Sequence, residues 1–372
     1  MQTFQGRSAQ TDARAAVQEA AAELPADLDL IFVFSSTEQD PEQVAQALTE
    51  RFPGVPLAGC TTSGEHLSDG HSRGNLVVTG IQAPEYRWTT ASVDLEGFDK
   101  GKAEAAAKEL FEAVGVDPEE MDPEKLVSLL FIDGLSGVEE DFTATLADAL
   151  QGVPLAGGSA GDDLKFEKTW VYGPHGARSG AATLVMAYSP DGAPIQIVKH
   201  QHFTTTPRSV VVTRVEGRRV YEFDGYPALE GYARALGMEP EQVSGDVTFL
   251  NPVTFACNGE LYVRSIQAIH DDGSISFYCA VEEGMVLDIS DHHEMSASLE
   301  QGLQFTRPPE FVVGFNCILR ALEATGSELH AEQSEILQKA CNTLIGFDTY
   351  GEQLNGLHIN QTLVAVGFGH AA

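Results

Sequence analysis

Val55-Pro56-Leu57-Ala58-Gly59 recurs residue for residue as Val153-Pro154-Leu155-Ala156-Gly157, 98 positions later. A repeated unit demands repeated structure, so this feature limits the fold more than any other. The flanks match as well. An apolar strand with a polar end, Ile31 to Ser36, precedes the first copy, and Leu129 to Gly134 precedes the second. Between strand and pentapeptide lies a helical pattern: Pro41 to Phe52 with Val44, Ala47 and Leu48 on one face, and Glu139 to Leu150 with Phe142, Leu146 and Leu150. Each pentapeptide then enters a Gly/Ser/Thr-rich turn ending in an acid, Cys60 to Glu65 and Gly158 to Asp162, aligned with a one-residue slip. A β-rich run closes each unit, Gly74 to Ile81 and Gly180 to Tyr188.

The order strand–helix–strand–turn–strand predicts parallel pairing of the two helix-crossed strands. It places both turns at the carboxyl ends of those strands, where open α/β sheets bind ligands. Two copies predict a pseudo-symmetric sheet with a Gly-rich turn from each facing a shared site. Around them, Met1 to Leu24 reads as a short strand and an Ala-rich helix, and Ile195 to Val215 as strands. Pro227 to Leu236 is helical, and Asp271-Asp272-Gly273 predicts a hairpin between Leu261–Ile266 and Ser276–Ala280. Helices follow at Ala297–Leu303, Asn316–Thr325 and Leu329–Leu344, then a strand at Thr362–Phe368. The fold class is mixed α/β (α+β). A duplicated domain over residues 1–205, with repeats at about 27–82 and 126–188, packs on a second mixed α/β domain over 206–372.

Composition excludes several functions. The net charge of −33 repels phosphate backbones and anionic headgroups, so neither nucleic acid nor a membrane surface is an expected partner. That acidity reads either as a solvating surface suited to a salty cytoplasm or as an acidic interface. No apolar run is long enough to span a bilayer, and the N-terminus lacks a basic segment followed by an apolar one, so the expected location is the cytoplasm. The five cysteines, Cys60, Cys257, Cys279, Cys317 and Cys341, form no CxxC and read as small buried hydrophobes.

Gly157-Gly158-Ser159-Ala160-Gly161 has the GxSxG form of a serine-hydrolase elbow, which must open a helix. Here it leads instead through Asp162 to Lys168 toward Trp170-Val171-Tyr172, a loop entering a strand. Phosphate loops of the GxxxxGK[ST] type are absent, and His292-His293-Glu294 lacks the second His of a zincin helix.

The candidate ligand-binding residues are those of the two turns: Cys60, Thr61, Thr62, Ser63 and Glu65, with Ser159 and Asp162. Glycines and small hydroxyl residues let amides and a carboxylate approach a polar ligand closely. Arg264 sits in an otherwise apolar strand, where its guanidinium either clamps a ligand carboxylate or pairs internally with an acid such as Glu282 or Glu283. Asn360 and His358 share one face of the polar segment before the last strand. His202 occupies a similar strand-like context.

These residues resemble the FIST proteins, bacterial sensory proteins with an N-terminal and a C-terminal FIST domain. The likeness rests on Ala58 to Glu65 and Gly157 to Asp162 in the first half. In the second half it rests on Tyr262 to Ile266, Glu283-Gly284, Asn316 to Arg320 and Gly351 to Thr362. The resemblance implies a cytoplasmic sensor of amino acids or similar small molecules, without catalysis. The GEQxxGxHxNQT tail is similar to the NosP type, haem-containing nitric-oxide sensors acting on partner histidine kinases or cyclic-di-GMP enzymes. That likeness implies haem b on an imidazole, with His358, then His202, then His270 as axial candidates, and the Cys279 or Cys317 thiolate as an outside choice. The leading expectation is therefore a haem-based nitric-oxide sensor. The alternatives are a haem-free sensor of an amino acid or other small polar ligand, and a serine hydrolase using Ser159.

Overall fold

The structure is a computed structural model, and it describes residues 1–370 except residue 327. The chain forms two compact units. The first comprises Met1–Lys199, Leu303–His358 and the segment from Leu363 onward; the second comprises His200–Gly302 and Ile359–Thr362.

Both predicted crossovers form in the first unit. Leu30–Ser35 pairs in parallel with Leu57–Thr61, and Leu126–Ile132 with Leu155–Ser159. Helix Pro41–Arg51 links the first pair. Asp40 caps it by accepting from the Glu42 and Gln43 amides, and Pro41 needs no hydrogen-bond partner in the first turn. Helix Glu139–Ala149 links the second pair. The expected shared sheet does not form. Each copy builds its own six-stranded sheet, because antiparallel strands flank each parallel pair and complete it.

The C-terminal region corrects the sequence reading further. The helix expected over Leu329–Leu344 ends at Ala340, and Thr343–Thr349 is a strand lying parallel to Phe311–Cys317. This is a third copy of the unit. Leu344-Ile345-Gly346 stands where Leu57-Ala58-Gly59 and Leu155-Ala156-Gly157 stand, and Gly351-Glu352 repeats Gly64-Glu65. A third sheet results, ordered Ile195–His200, Leu363–Phe368, Phe311–Cys317, Thr343–Thr349, Glu65–Leu67 and Gly70–Ser72.

The hairpin after each second strand crosses to another copy. Glu65–Leu67 pairs with the third copy's Thr343–Thr349, Val171–Gly173 with the first copy's Leu57–Thr61, and Glu352–Leu354 with the second copy's Leu155–Ser159. The exchange is cyclic, so every sheet is completed by a neighbour.

Strand alternation separates two kinds of core. Ile31 and Val33 face the helices with Val44 and Leu48, and Leu130 and Ile132 do the same with Phe142 and Leu146. Phe32, Phe34, Phe131, Phe311, Phe315 and Phe347 point the other way and are fully buried. Their rings meet between the three sheets, Phe34 to Phe347 at 4.7 Å and Phe131 to Phe315 at 5.8 Å. Burial on both faces explains why these strands read as unbroken apolar runs.

The second unit is a mixed structure around the long strand Phe203–Glu216, with helix Ala228–Leu236 on a core of Val212, Phe223, Tyr232 and Phe277. The Asp271-Asp272-Gly273 turn closes a hairpin, but between Ile266–Ile269 and Ile275–Phe277. Glu260–Arg264 pairs instead with Val253–Cys257.

Candidate functional site

The three hairpin exchanges create three equivalent junctions, which differ sharply in chemistry. At each, one hairpin residue lies opposite the strand glycine, and a second lies beside it on the returning hairpin strand. In the exchange between the first and third copies these are His66 and His71, and the neighbouring strand residue is Asp348. In the exchange between the third and second copies they are Gln353 and His358, beside Ser159. In the remaining exchange they are Tyr172 and Ala177, beside Thr61.

The first junction concentrates ionisable groups. Nε2 of His66 lies 2.8 Å from Oδ1 of Asp348, and Nε2 of His71 lies 2.9 Å from Oδ2. Asn316 donates its Nδ2 to the same Oδ1 at 2.8 Å, and Arg320 donates Nε to Asn316 Oδ1 at 3.0 Å. Burial alone would raise the Asp348 carboxyl. The contacts from His66 and His71 outweigh it and hold Asp348 well below the ordinary carboxylate range. Burial pushes His66 the other way, toward the neutral ring. An ionised Asp348 accepting N–H from a neutral His66 satisfies both directions. His330 stacks flat on His71, ring centroids 4.1 Å apart, and burial, followed by the electrostatic effect of the neighbouring His71 ring, lowers it to about 4.

A small recess with about 20 Å³ of free space opens beside these groups, lined by His66, His330, Asn316, Gln333 and Ser334 with apolar Leu337 and Leu344. Its origin lies in the repeat. The position opposite the strand glycine carries Val33 in the first copy and Leu130 in the second, both packed under helices. In the third copy it is Gly314, opposite Gly346, and both glycines line the recess. Loss of that side chain opens the space.

The predicted turn residues come together, but mainly on one another. Gly161 donates its amide to the Thr61 carbonyl at 2.9 Å, and the Asp163 amide donates to Ser63 Oγ at 3.1 Å. Thr61 Oγ1 accepts from the Trp170 amide, and Cys60 is buried. Thr62 donates to Glu65 Oε1 at 2.7 Å, and burial raises the Glu65 carboxyl to about 8. Asp162 accepts from the amides of Phe166, Glu167 and Lys168 and from the Tyr350 hydroxyl. Ser159 accepts from Gln353. In the second unit, Arg264 lies over the Phe255 ring at 4.6 Å and donates to Cys279 Sγ, which in turn donates to Asn360 Oδ1.

Of the imidazoles expected to hold haem, His358 is buried and accepts at Nδ1 from Gln353 at 2.9 Å. Its Nε2 edge is pressed on Gly351, where a Cβ would lie 2.5 Å from Nε2. The ring therefore packs closely on that glycine. His202 is buried with its ring 4.4 Å from Phe203, and His270 Nε2 is hydrogen-bonded to Ser276 Oγ at 2.6 Å. The sequence reading missed His66, His71, His330 and Asp348. The spacing of Leu-x-Gly to Gly-Glu, shared by the first and third copies, is the signal that marks them.

Residues 29–226 match the FIST N domain and residues 228–355 the FIST C domain. The chain belongs to the FIST family. FIST domains are sensory and bind small ligands. This FIST protein is 23 % identical over 216 residues to an uncharacterized protein, MJ1623, of Methanocaldococcus jannaschii. The match covers 56 % of the chain and 40 % of that relative, so the chain spans well under two thirds of its length. Among solved structures, this FIST protein is similar to a cyanuric acid hydrolase from A. caulinodans, with 9 % identity, 99 % of both chains covered and a TM-score of 0.37. Among its described residues, no helix is long and apolar enough to cross a membrane.

Proposed function

We propose that this FIST protein senses a small polar ligand, an amino acid or a comparable compound, in the recess bordered by His66, Asn316, His330, Gln333 and Ser334. The observation that carries the reading is Gly314, which leaves a recess where the other two copies place Val33 and Leu130. Its free space, about 20 Å³, is on the scale of one water molecule, so an amino acid would have to widen the recess on binding. A ligand there would touch the groups around Asp348 directly, so occupancy would be felt by a hydrogen-bond network that joins two copies of the repeat.

Haem-based nitric-oxide sensing is the finer reading implied by the tail. The packing of His358 against Gly351 favours the polar-ligand reading over it. In either case the output is a protein–protein contact in the cytoplasm, with a histidine kinase or a cyclic-di-GMP enzyme as partner. Two measurements separate the readings. Calorimetric or thermal-shift screening of amino acids and small carboxylic acids should yield a binder whose affinity is lost in Gly314→Val. An absorbance spectrum after haemin reconstitution should show no Soret band that shifts with nitric oxide. A shifting Soret band that disappears in His358→Ala would overturn the polar-ligand reading.

A further inference from the structure

We propose that His66, His71 and Asp348 bind one divalent first-row transition metal ion, of the Zn²⁺, Co²⁺ or Fe²⁺ class. Two imidazoles and one carboxylate, with other positions left open, form a recurrent ligand set for such ions. The three ligating atoms lie within 4.8 Å of one another. Metal–ligand bonds of roughly 2.0–2.2 Å fit between them after small side-chain shifts. Each imidazole would carry its proton on Nδ1 while Nε2 holds the ion, so both rings stay neutral.

Comparison of the junctions shows that the fold does not itself require this set. Gln353, His358 and Ser159 occupy the same places and close a network of neutral groups, with Gln353 Nε2 2.9 Å from both Ser159 Oγ and His358 Nδ1. Tyr172, Ala177 and Thr61 fill the third junction, Tyr172 reaching Ser35 Oγ at 2.7 Å. A buried carboxylate is costly to desolvate, yet only this junction carries one beside two imidazoles. Asn316, backed by Arg320, holds the carboxylate in place, as outer partners of metal ligands do. His66 and Asn316 also line the recess, which gives an ion a route in and an open coordination position. The site stands whether or not the recess takes an organic ligand.

The full chain, stripped with a chelator, is titrated with Zn²⁺ and Co²⁺ against a chromophoric competitor. One equivalent should bind, and His66→Gln and Asp348→Asn should each weaken it by at least about 100-fold with circular dichroism unchanged. His66→Gln installs the residue that the sister junction tolerates as Gln353. Imidazole ¹H–¹⁵N shifts of His66 and His71 on Zn²⁺ addition ask the same question of the unaltered protein, should a variant fail to fold. Dissociation constants weaker than about 10 μM, equal binding in the variants, or unmoved His66 and His71 signals would overturn the site and leave a structural His–Asp network.

Discussion

Gly64 and Asp348 touch: a Cβ on the glycine would lie 2.3 Å from Oδ2 of the carboxylate and 2.6 Å from Nε2 of His71. Neither neighbour is free to retreat, because each is hydrogen-bonded to the other. Gly64→Ala should therefore destabilise the chain by about 1–3 kcal/mol through overpacking, read from the denaturant midpoint. An unchanged midpoint would show that the junction is loose.

Gly314 and Gly346 face each other on paired strands, yet they should respond oppositely to alanine. A Cβ on Gly314 meets Leu344 Cδ1 at 3.5 Å, an ordinary contact, whereas one on Gly346 would lie 2.6 Å from the Gly314 carbonyl oxygen. Gly314→Ala should change stability by less than about 1 kcal/mol while shrinking the recess. Gly346→Ala should cost about 1–3 kcal/mol, because backbone rather than a side chain stands in the way. Paired thermal melts check the contrast.

Glu65 links stability to pH. Burial raises its folded value to about 8, against an ordinary 4.5, so the folded state holds a proton that the unfolded state has lost. Stability should fall as pH rises from about 4.5 to 8, by up to a few kcal/mol. Glu65→Gln keeps partners for Thr62 and for the Asn75 amide and should flatten that limb. Urea midpoints across the pH range decide it, and equal slopes in both proteins would reject the assignment.

Asp348 acts in the opposite sense. Its folded value is depressed, so its stabilisation is fully present above the unfolded value near 4 and is lost as pH falls below it. Asp348→Asn should be less stable than the parent at pH 7, and the gap should narrow toward pH 3. A gap independent of pH would show that packing, rather than ionisation, is what Asp348 supplies.

Much of the fold was legible in residues close together in the chain. The exact pentapeptide repeat located two crossovers, because period-two strands, an amphipathic helix and a glycine at the close approach are all local signals. Asp40 and Pro41 announced their helix start in the same way. The third copy was hidden because it keeps identity only where geometry forbids change. Leu344, Gly346 and Gly351-Glu352 persist, while the positions between them diverged. Strand residues 343 and 344 followed a helical run closely enough to be read into it.

The site itself was less legible. Its candidate residues were sought on the turns, where Thr62, Ser63, Asp162 and Ser159 are in fact engaged with one another and with Tyr350 and Gln353. By itself the sequence determined the strands and helices around its two pentapeptide copies, and that those two units are alike. Tertiary structure decided which hairpin completes which sheet, since backbone N–H and C=O groups pair without regard to side-chain identity and nothing local names their partner. That choice alone carries His66 and His71 across to Asp348, 282 and 277 residues away in the chain.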